Sequence, residues 1–211
     1  MITPETGLAR QQVVAAARYI HRRGLTHGRT GNLSIRLGER ILITPTGASL
    51  GSVQADQLSV IRVDGEHLGG PPASKEAFLH VAMLRARPSA TAVVHTHSSY
   101  SAAVSCLAGL DPDNALPPLT AYFAMRVGQL PLLAYHAPGD LALGPLAEDA
   151  AQRHPALLLR NHGPIVAGQD LDSALDVVEE LEETAKLFLL LHGRPVQPLT
   201  TEQADALAPT R

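Results

Sequence analysis

A pair of histidines separated by one residue is the first feature of the sequence that could carry out chemistry. His95 and His97 fall in an apolar segment, Ala92 to His97, that is typical of a short strand. Side chains two apart on a strand leave the same face, with their Cα atoms about 6.5–7 Å apart. Both imidazoles could then reach one cation, because a Zn–N bond is only about 2.0–2.1 Å long. Alone, the pair also fits one core histidine and one solvated histidine.

Two further residues could complete a metal site. His162 lies between two apolar segments and precedes Gly163, which allows a close approach of the backbone. Glu76 lies near the start of a predicted helix, where a carboxylate is favourable for the helix dipole even without a metal. Three nitrogen ligands leave positions open on the ion, which is the catalytic rather than the structural pattern. The predicted metal ligands are Glu76, His95, His97 and His162.

Three short segments could bind an anion, because each is predicted at a strand end, a turn or a helix start. They are Gly31-Asn32, Thr44-Pro45-Thr46-Gly47 and Ser74-Lys75. Unpaired backbone N–H groups at such positions favour an anion, and Lys75 adds a full positive charge. Each segment alone also fits ordinary turn or capping chemistry. Neither a P-loop nor a dinucleotide fingerprint is present, so the sequence indicates no nucleotide cofactor.

The elements that must position these residues alternate between helical and strand periodicity. The alternation in residues 32–37 predicts a half-buried strand, and Asp64-Gly65 predicts a hairpin turn. Helices are predicted at about 4–23, from 74 toward 88, and at 99–107, 140–153 and 171–192, with Thr3 as the first N-cap. Further strands are predicted at 41–43, 60–63, 92–97, 130–135, 157–159 and 165–166. This order indicates an α/β fold, a three-layer α-β-α sandwich with a largely antiparallel sheet.

Length and composition restrict the class of protein. A chain of 211 residues with 45% apolar and 18% charged residues suits one globular domain, with its core at about 8–193 and a tail at 195–211. The net charge of −3 argues against a nucleic-acid partner. No apolar run approaches the roughly 18 residues needed to span a membrane, and the N-terminus lacks a signal pattern, so a cytoplasmic location is expected. The lone Cys106 excludes an intrachain disulfide.

The order of these motifs resembles the class II aldolase/adducin-head family over about residues 8–193. The resemblance rests on Gly31-Asn32-Leu33-Ser34, Thr44-Pro45-Thr46-Gly47, Ser74-Lys75-Glu76, His95-Thr96-His97 and Arg160-Asn161-His162-Gly163. It implies a divalent cofactor, Zn²⁺ first with Mn²⁺ or Co²⁺ as alternatives, held by the three histidines. It also implies that Glu76 is the acid/base, and a ligand when substrate is absent. The substrate phosphate would be held by Asn32, Thr46, Gly47 and Ser74, and the assembly would be a homotetramer with sites between subunits.

Three segments resemble a narrower branch, the 3-oxo-tetronate 4-phosphate decarboxylases. They span residues 74–80, 116–122 and 179–186. This branch implies loss of CO₂ from a phosphorylated 3-oxo acid, giving an enediolate that is protonated at C2 by Glu76 or Tyr122 to form dihydroxyacetone phosphate. Burial beside apolar neighbours such as Phe78 is expected to raise the pKa of Glu76 toward neutrality. Lys75 would bind either the phosphate or the departing carboxylate.

Three alternatives stay open. A sugar-phosphate aldolase of the fuculose or ribulose type would form the same enediolate by losing an aldehyde, although such aldolases usually carry Ser or Thr at the position of Lys75. A 4-epimerase usually carries Asp at the position of Glu76. A non-catalytic adducin-like scaffold would have no reason to keep the four ligand residues. A Tyr in a Pro-bounded segment such as Tyr122 is more often a packing residue with its hydroxyl at the surface. For His80, solvation is favoured over a contact behind Glu76.

Overall fold

Eight strands form one sheet within residues 4–208, the part of the chain that the computed structural model describes. They are β1 (Asn32–Leu37), β2 (Arg40–Ile43), β3 (Ser59–Arg62), β4 (His67–Gly69), β5 (Ala92–His95), β6 (Leu132–Leu133), β7 (Ala156–Leu159) and β8 (Gly163–Gly168). The order across the sheet is β4-β3-β2-β1-β5-β8-β7-β6. Only the β6–β7 pair is parallel within this range, which confirms the largely antiparallel prediction.

Helices cover both faces of the sheet. They are α1 (Pro4–Arg22), α2 (Ala77–Ala86), α3 (Ser99–Ser105), α4 (Ala121–Arg126), α5 (Leu143–Ala151), α6 (Leu171–Leu190) and α7 (Thr201–Asp205). Val94 and Val166 belong to the apolar core beneath α1, α3, α4 and α6, whereas Val93 and Ile165 belong to the core beneath α2 and α5. Successive strand residues therefore enter opposite cores, as the pleat requires. The predicted three-layer sandwich is confirmed.

Strand β1 is buried on both faces, so the prediction of a half-buried strand was wrong. Leu33 and Ile35 enter the core beneath α1 and α6. The polar side chains of Asn32 and Ser34 point the other way, and they are only 5% and 0% exposed because α2 covers them. The guanidinium of Arg36 continues this face by donating to the Leu84 carbonyl of α2 at 3.2 Å. The polar face of β1 thus meets a helix instead of solvent.

Several predicted boundaries shift, and two of them concern candidate site residues. β5 ends at His95 and not at His97, since Pro164 in the neighbouring β8 has no N–H to continue the ladder. Helix α2 begins at Ala77 with Glu76 at its N-cap position, whereas Ser74 was predicted there. The hydroxyl of Ser74 instead accepts from the backbone N–H of Glu76 at 3.3 Å, in the turn before the helix.

The remaining differences lie farther from those residues. Helix α4 was not predicted, and its N-cap is Thr120, whose hydroxyl accepts from the Phe123 N–H at 3.0 Å. The strand predicted at 130–135 is reduced to β6, and the tail contains α7, which packs on α4. Thr3, predicted as the first N-cap, lies outside the described residues. In the described part of the chain, no helix combines the length and apolarity that a membrane crossing needs.

Carboxylates of α6 fasten two short helices to the sandwich. Glu182 accepts hydrogen bonds from the Tyr100 and Ser101 N–H groups, both at 2.9 Å, and from the Ser101 hydroxyl at 2.7 Å. It therefore serves the N-terminus of α3, whose cap residue Ser98 makes no side-chain capping bond. Glu180 accepts from the Thr120 hydroxyl, at 3.0 Å, at the start of α4. The acidic stretch 179–186 thus anchors the helix that directly follows the His95–His97 segment.

We expect Glu182→Ala to lower the free energy of unfolding by about 1–2 kcal/mol, because two backbone donors and a hydroxyl lose their acceptor. Glu183→Ala is the matched control, since the Glu183 side chain is 60% exposed and pairs only at 3.5 Å with Lys186. Urea denaturation of the two variants measures the difference. Equal stability of the two variants would contradict the anchoring role.

Candidate metal centre

Three imidazole nitrogens converge on one point. The Nε2 atom of His95 lies 3.1 Å from Nε2 of His97 and 3.3 Å from Nε2 of His162, and the latter two atoms are 3.0 Å apart. A tetrahedral ion with Zn–N bonds of about 2.0–2.1 Å separates its nitrogen ligands by roughly 3.3–3.4 Å. The triangle of Nε2 atoms therefore has nearly the dimensions of one face of a tetrahedral ligand set.

The carboxylate of Glu76 adds oxygen atoms to this triangle. Its Oε1 lies 3.1 Å from Nε2 of His162, and its Oε2 lies 3.4 Å from Nε2 of His95. One ligand atom from each of the four residues falls within 4.8 Å of the others. Three nitrogens and a carboxylate oxygen suit a divalent cation such as Zn²⁺. The structure therefore brings together the four side chains that were predicted as ligands.

The end of β5 places the first two histidines. His95 is the last residue of the strand and is fully buried. The Thr96 N–H still donates to the Pro164 carbonyl, at 3.2 Å, and holds the chain beside β8 for one more residue. His97 follows outside the strand and is half-buried, so its ring reaches the others from the more open side. The rings of His95 and His97 point to the same centre, as predicted, although only His95 lies on the strand.

The turn between β7 and β8 places the third histidine. Asn161 adopts a left-handed conformation with φ of 56°, the only non-glycine residue to do so among those described. The next residue, His162, donates its N–H to the Ser105 hydroxyl at 3.2 Å. A Cβ atom on Gly163 would lie 2.3 Å from the Thr96 carbonyl oxygen. Glycine is therefore required for the two histidine segments to approach each other.

A partner behind His95 selects its tautomer. Nδ1 of His95 lies 2.8 Å from the carbonyl oxygen of Pro164. Because a carbonyl only accepts, Nδ1 must carry the proton and Nε2 must present a lone pair to the centre. Burial lowers the pKa of His95, which also favours this neutral form. The ring is thus prepared as a metal ligand.

Glu76 is held ionised in this arrangement, and the expected rise of its pKa was wrong. Burial does raise the pKa of Glu76, and the residue is 8% exposed. The hydrogen bond with His162 and the bond from Asn32 nevertheless lower the pKa, and the net pKa lies well below its usual value. Apolar neighbours such as Phe78 were expected to dominate, but polar partners surround the carboxylate. In this state Glu76 can bind a cation or accept a proton.

His80 is buried and bonded, contrary to the favoured prediction of solvation. It is 0% exposed, and its Nε2 lies 2.5 Å from the Asn32 side-chain oxygen. The Asn32 side-chain nitrogen in turn donates to Oε2 of Glu76 at 2.8 Å. His80 therefore lies directly behind the candidate metal centre. The sequence signal was that His80 lies one helical turn after Glu76. The sequence does not show that β1 covers this face of α2.

The two turns predicted to bind phosphate lie side by side. Pro45 and Ala73 form an isolated antiparallel bridge, and the Thr46 N–H donates to the Pro72 carbonyl at 3.0 Å. Thr46 and Gly47 are exposed, and Gly47 has φ of +68°. The predicted phosphate-binding residues that the structure places in these adjacent turns are Thr46, Gly47, Ser74 and Lys75. Asn32 lies deeper, and its amide is engaged with Glu76 and His80.

A cation that was not predicted from the sequence lies beside these turns. Arg29 lines a cleft of about 360 Å³ together with Thr46 and Gly47, and it is exposed. It lies in the loop that leads into Gly31-Asn32, so a basic residue next to an anion-binding motif was the available signal. An anionic group in this cleft would meet the Arg29 guanidinium.

Tyr122 is not brought to the centre within the chain. It lies on α4, is 59% exposed, and its ring contacts the Arg126 guanidinium at 5.7 Å. No hydrogen bond or ring contact between Tyr122 and the four candidate ligands is present among the described residues. Lys75 is also exposed, and its Cβ lies 3.8 Å from where a Cβ on Gly139 would stand. The catalytic role of Tyr122 therefore stays a prediction.

Comparisons with known proteins show which family and which relatives the chain resembles. The profile of the Class II Aldolase and Adducin N-terminal domain matches residues 11–189. The 3-oxo-tetronate 4-phosphate decarboxylase of Haemophilus influenzae is 46% identical over 203 residues, covering 95% of this chain and 97% of that protein. The L-fuculose phosphate aldolase of Methanocaldococcus jannaschii is 35% identical over 182 residues, covering 86% and 96%. The crystal structure of YgbL from Klebsiella pneumoniae has a TM-score of 0.93 at 42% identity, covering 96% and 98%.

We expect the metal-free protein to lose stability on acidification from about pH 6.5, above the range where ordinary carboxylates titrate. Burial lowers the pKa of His80 to about 3 and also lowers the pKa of His95. Below pH 6.5 the unfolded chain therefore binds protons that the folded chain does not. The free energy of unfolding should fall by up to about 1.4 kcal/mol per pH unit for each such histidine. Urea denaturation at pH 7, 6, 5 and 4 measures this slope, and constant stability between pH 7 and 5 would contradict it.

Proposed function

The chain belongs to the Class II Aldolase and Adducin N-terminal domain family, and from this premise we propose that it is a metal-dependent carbon–carbon lyase that decarboxylates 3-oxo-tetronate 4-phosphate. The products are dihydroxyacetone phosphate and CO₂. The resemblance inferred from the motif order is thereby confirmed. Relatives named as decarboxylases of this acid are more similar to the chain than those named as fuculose phosphate aldolases, which supports the choice of reaction.

The convergence of Glu76, His95, His97 and His162 is the observation that carries this proposal. These residues would hold the cation, with Zn²⁺ favoured because imidazole nitrogen dominates the ligand set. A divalent cation at this position supplies a Lewis acid for the negative charge that develops on the substrate oxygens when CO₂ leaves. The half-buried His97 and His162 leave one side of the centre accessible to a ligand.

Glu76 would supply the proton that the product needs. Breaking the C1–C2 bond releases CO₂ and leaves the electron pair on C2, delocalised into the C3 carbonyl, so one proton must be added at C2. While the Glu76 carboxylate contacts His162, its pKa is low and it stays ionised. Once substrate draws the carboxylate away from His162, burial persists and a bond that lowered the pKa is lost. The pKa of Glu76 then rises, and the residue can carry a proton to C2.

The adjacent turns would bind the phosphate. Thr46 and Ser74 offer hydroxyl groups and Gly47 offers a backbone N–H in two adjacent turns, one of which leads into Glu76, and Arg29 adds a cation in the same cleft as Thr46 and Gly47. Lys75 places a second positive charge beside Ser74 for an anionic group of the substrate. A substrate with a carboxylate at one end and a phosphate at the other suits these donors and cations.

The assembly would be a homotetramer with sites between subunits. Tyr122 supports this because it projects from α4 with 59% exposure and lacks a contact with its own candidate ligands. Its neighbour Met125 on the same helix is 45% exposed, and Tyr100 on α3 is 40% exposed. Both helices pack against α6, and large exposed apolar side chains on such helices are typical of an interface. A second subunit would bring Tyr122 to the centre as a proton donor.

An aldolase acting on a ketose 1-phosphate is the second candidate. The relative named L-fuculose phosphate aldolase shares 35% identity over most of the chain. A retro-aldol cleavage leaves the same electron pair beside a carbonyl, with an aldehyde as the leaving group in place of CO₂. The metal centre would therefore serve either reaction, and only the products separate them.

We expect the Zn²⁺- or Mn²⁺-loaded protein to release CO₂ and dihydroxyacetone phosphate in equal amounts from 3-oxo-tetronate 4-phosphate. Glu76→Gln should lower kcat by about 10²–10⁴-fold, because the proton carrier is lost while the side chain keeps its shape. Glu183→Gln is the control for a carboxylate outside the site. Coupled assays of CO₂ and triose phosphate measure both products. Cleavage of a ketose 1-phosphate to an aldehyde, without CO₂ from the acid, would establish the aldolase instead.

We expect subunits carrying Glu76→Gln to complement subunits carrying Tyr122→Phe. Each variant alone should have low activity, whereas a one-to-one mixture refolded together should recover about one quarter of the wild-type activity if each site combines residues from two subunits. Steady-state kinetics and light scattering on the same samples measure activity and assembly. A mixture that stays inactive although it forms mixed tetramers would contradict a site shared between subunits.

A further inference from the structure

A chain of buried polar side chains links strand β1 to helix α2 behind the metal centre. The Ser34 hydroxyl lies 2.8 Å from Nδ1 of His80, and Nε2 of His80 lies 2.5 Å from the Asn32 oxygen. The Asn32 nitrogen lies 2.8 Å from Oε2 of Glu76. Ser34 and His80 are 0% exposed and Asn32 is 5% exposed. These hydrogen bonds therefore connect the protein interior to one candidate ligand, Glu76, along a path that is shielded from solvent.

Each hydrogen bond in this chain has a determined direction. The ionised Glu76 carboxylate can only accept, so the Asn32 nitrogen must face it and the Asn32 oxygen must face His80. That oxygen also only accepts, so Nε2 of His80 carries the proton. Nδ1 of His80 then has a lone pair and accepts from the Ser34 hydroxyl. The donors all point the same way, from Ser34 toward Glu76.

We infer that His80 is a positioning residue for Glu76, acting through the orientation of the Asn32 amide. The inference rests on the proposed function only for what Glu76 does afterwards. A side-chain amide can rotate by half a turn and exchange its nitrogen and oxygen. The Nε2–H group of His80 prevents this rotation at Asn32, because the exchange would set two donors against each other at His80. The same exchange would set two acceptors against each other at Glu76.

Burial makes this orientation costly to lose. With Ser34, His80 and Asn32 shielded from solvent, a water molecule has little access to replace a missing bond. The low pKa of His80, about 3 because of burial, keeps the ring neutral at physiological pH, as the bonding pattern requires. A protonated ring would direct a second N–H at the Ser34 oxygen and end the single direction of the chain. The carboxylate therefore meets a fixed donor in the metal-free protein.

The tautomer of His80 is the first test, and it needs neither metal nor substrate. Long-range ¹H–¹⁵N spectra of the metal-free protein, with His80→Gln used to assign the resonances, should show Nε2 protonated and Nδ1 unprotonated between pH 6 and 8. The Asn32 side-chain amide should show one downfield proton from its bond to the carboxylate. A His80 ring protonated on Nδ1, or on both nitrogens, would overturn the inference.

Metal affinity is the second test, measured by competition with a chromophoric chelator for Zn²⁺. We expect His80→Phe, which keeps a ring but loses both bonds, to weaken binding by about 10- to 100-fold. His80→Gln returns an amide N–H near the position of Nε2 and should recover most of the affinity. In a Glu76→Gln background, His80→Phe should cause little further loss, because the residue that it positions has already been altered. Equal losses in both backgrounds would show that His80 acts elsewhere and would overturn the inference.

If His80→Phe fails to fold, Ser34→Ala provides the test, because it removes only the hydrogen bond that is farthest from Glu76. It should weaken Zn²⁺ binding measurably but less than His80→Phe, and unchanged affinity in Ser34→Ala would count against the inference. Substrate kinetics separate this inference from the proposed function. A wild-type protein with tight Zn²⁺ binding and no turnover refutes only the proposed function. Normal turnover with unchanged kcat and Zn²⁺ affinity in His80→Phe refutes only the positioning role.

Discussion

The candidate metal centre depends on the close approach of four ligating groups, which is unfavourable unless something binds them together. Three Nε2 atoms lie 3.0–3.3 Å apart, and the Glu76 carboxylate lies against two of them. Each ring nitrogen has a single lone pair or N–H in its plane, so three of them aimed at one point cannot satisfy one another. A shared divalent cation satisfies all four groups at once. The glycine at position 163, which alone permits the contact with Thr96, and the carbonyl behind His95 both serve this convergence.

The sandwich explains how residues far apart in the chain reach that point. β5 and β8 are neighbours in the sheet, so the segments that follow β5 and precede β8 meet at the same edge. Glu76 lies at the N-cap of α2, on one face of the sheet. Hydrogen bonds from Asn32, Ser34 and Arg36 hold α2 and its N-cap to β1. This polar contact between a helix and a strand replaces part of an apolar core. It fixes the position of the Glu76 carboxylate, the candidate ligand that we propose also carries the proton.

The architecture and the residues that converge at the candidate metal centre could be predicted from the sequence, but for different reasons. The strand and helix periodicities were sufficient for a sandwich with a largely antiparallel sheet. The convergence of Glu76 and His162 with the histidine pair came from the resemblance to a family, because no local pattern joins residues so distant. Alternation in β1 indicated an apolar face and a polar face without showing what covers each, so the strand was predicted to be only half buried. The sequence also does not show which side chains contact His80 and Glu76. For this reason His80 was predicted to be solvated and the pKa of Glu76 was expected to rise. Local geometry explains the misplaced end of β5, where Pro164 interrupts the ladder.

X-ray absorption at the metal edge of the purified, Zn²⁺-reconstituted protein tests whether the three histidines and Glu76 bind one cation. It reports the number, type and distance of the ligands around the ion without reference to any reaction. We expect one ion per chain, with scattering from three imidazole rings at about 2.0–2.1 Å and an oxygen ligand that changes in Glu76→Gln. An ion that lacks imidazole scattering, or a protein that retains no ion at all, would contradict it.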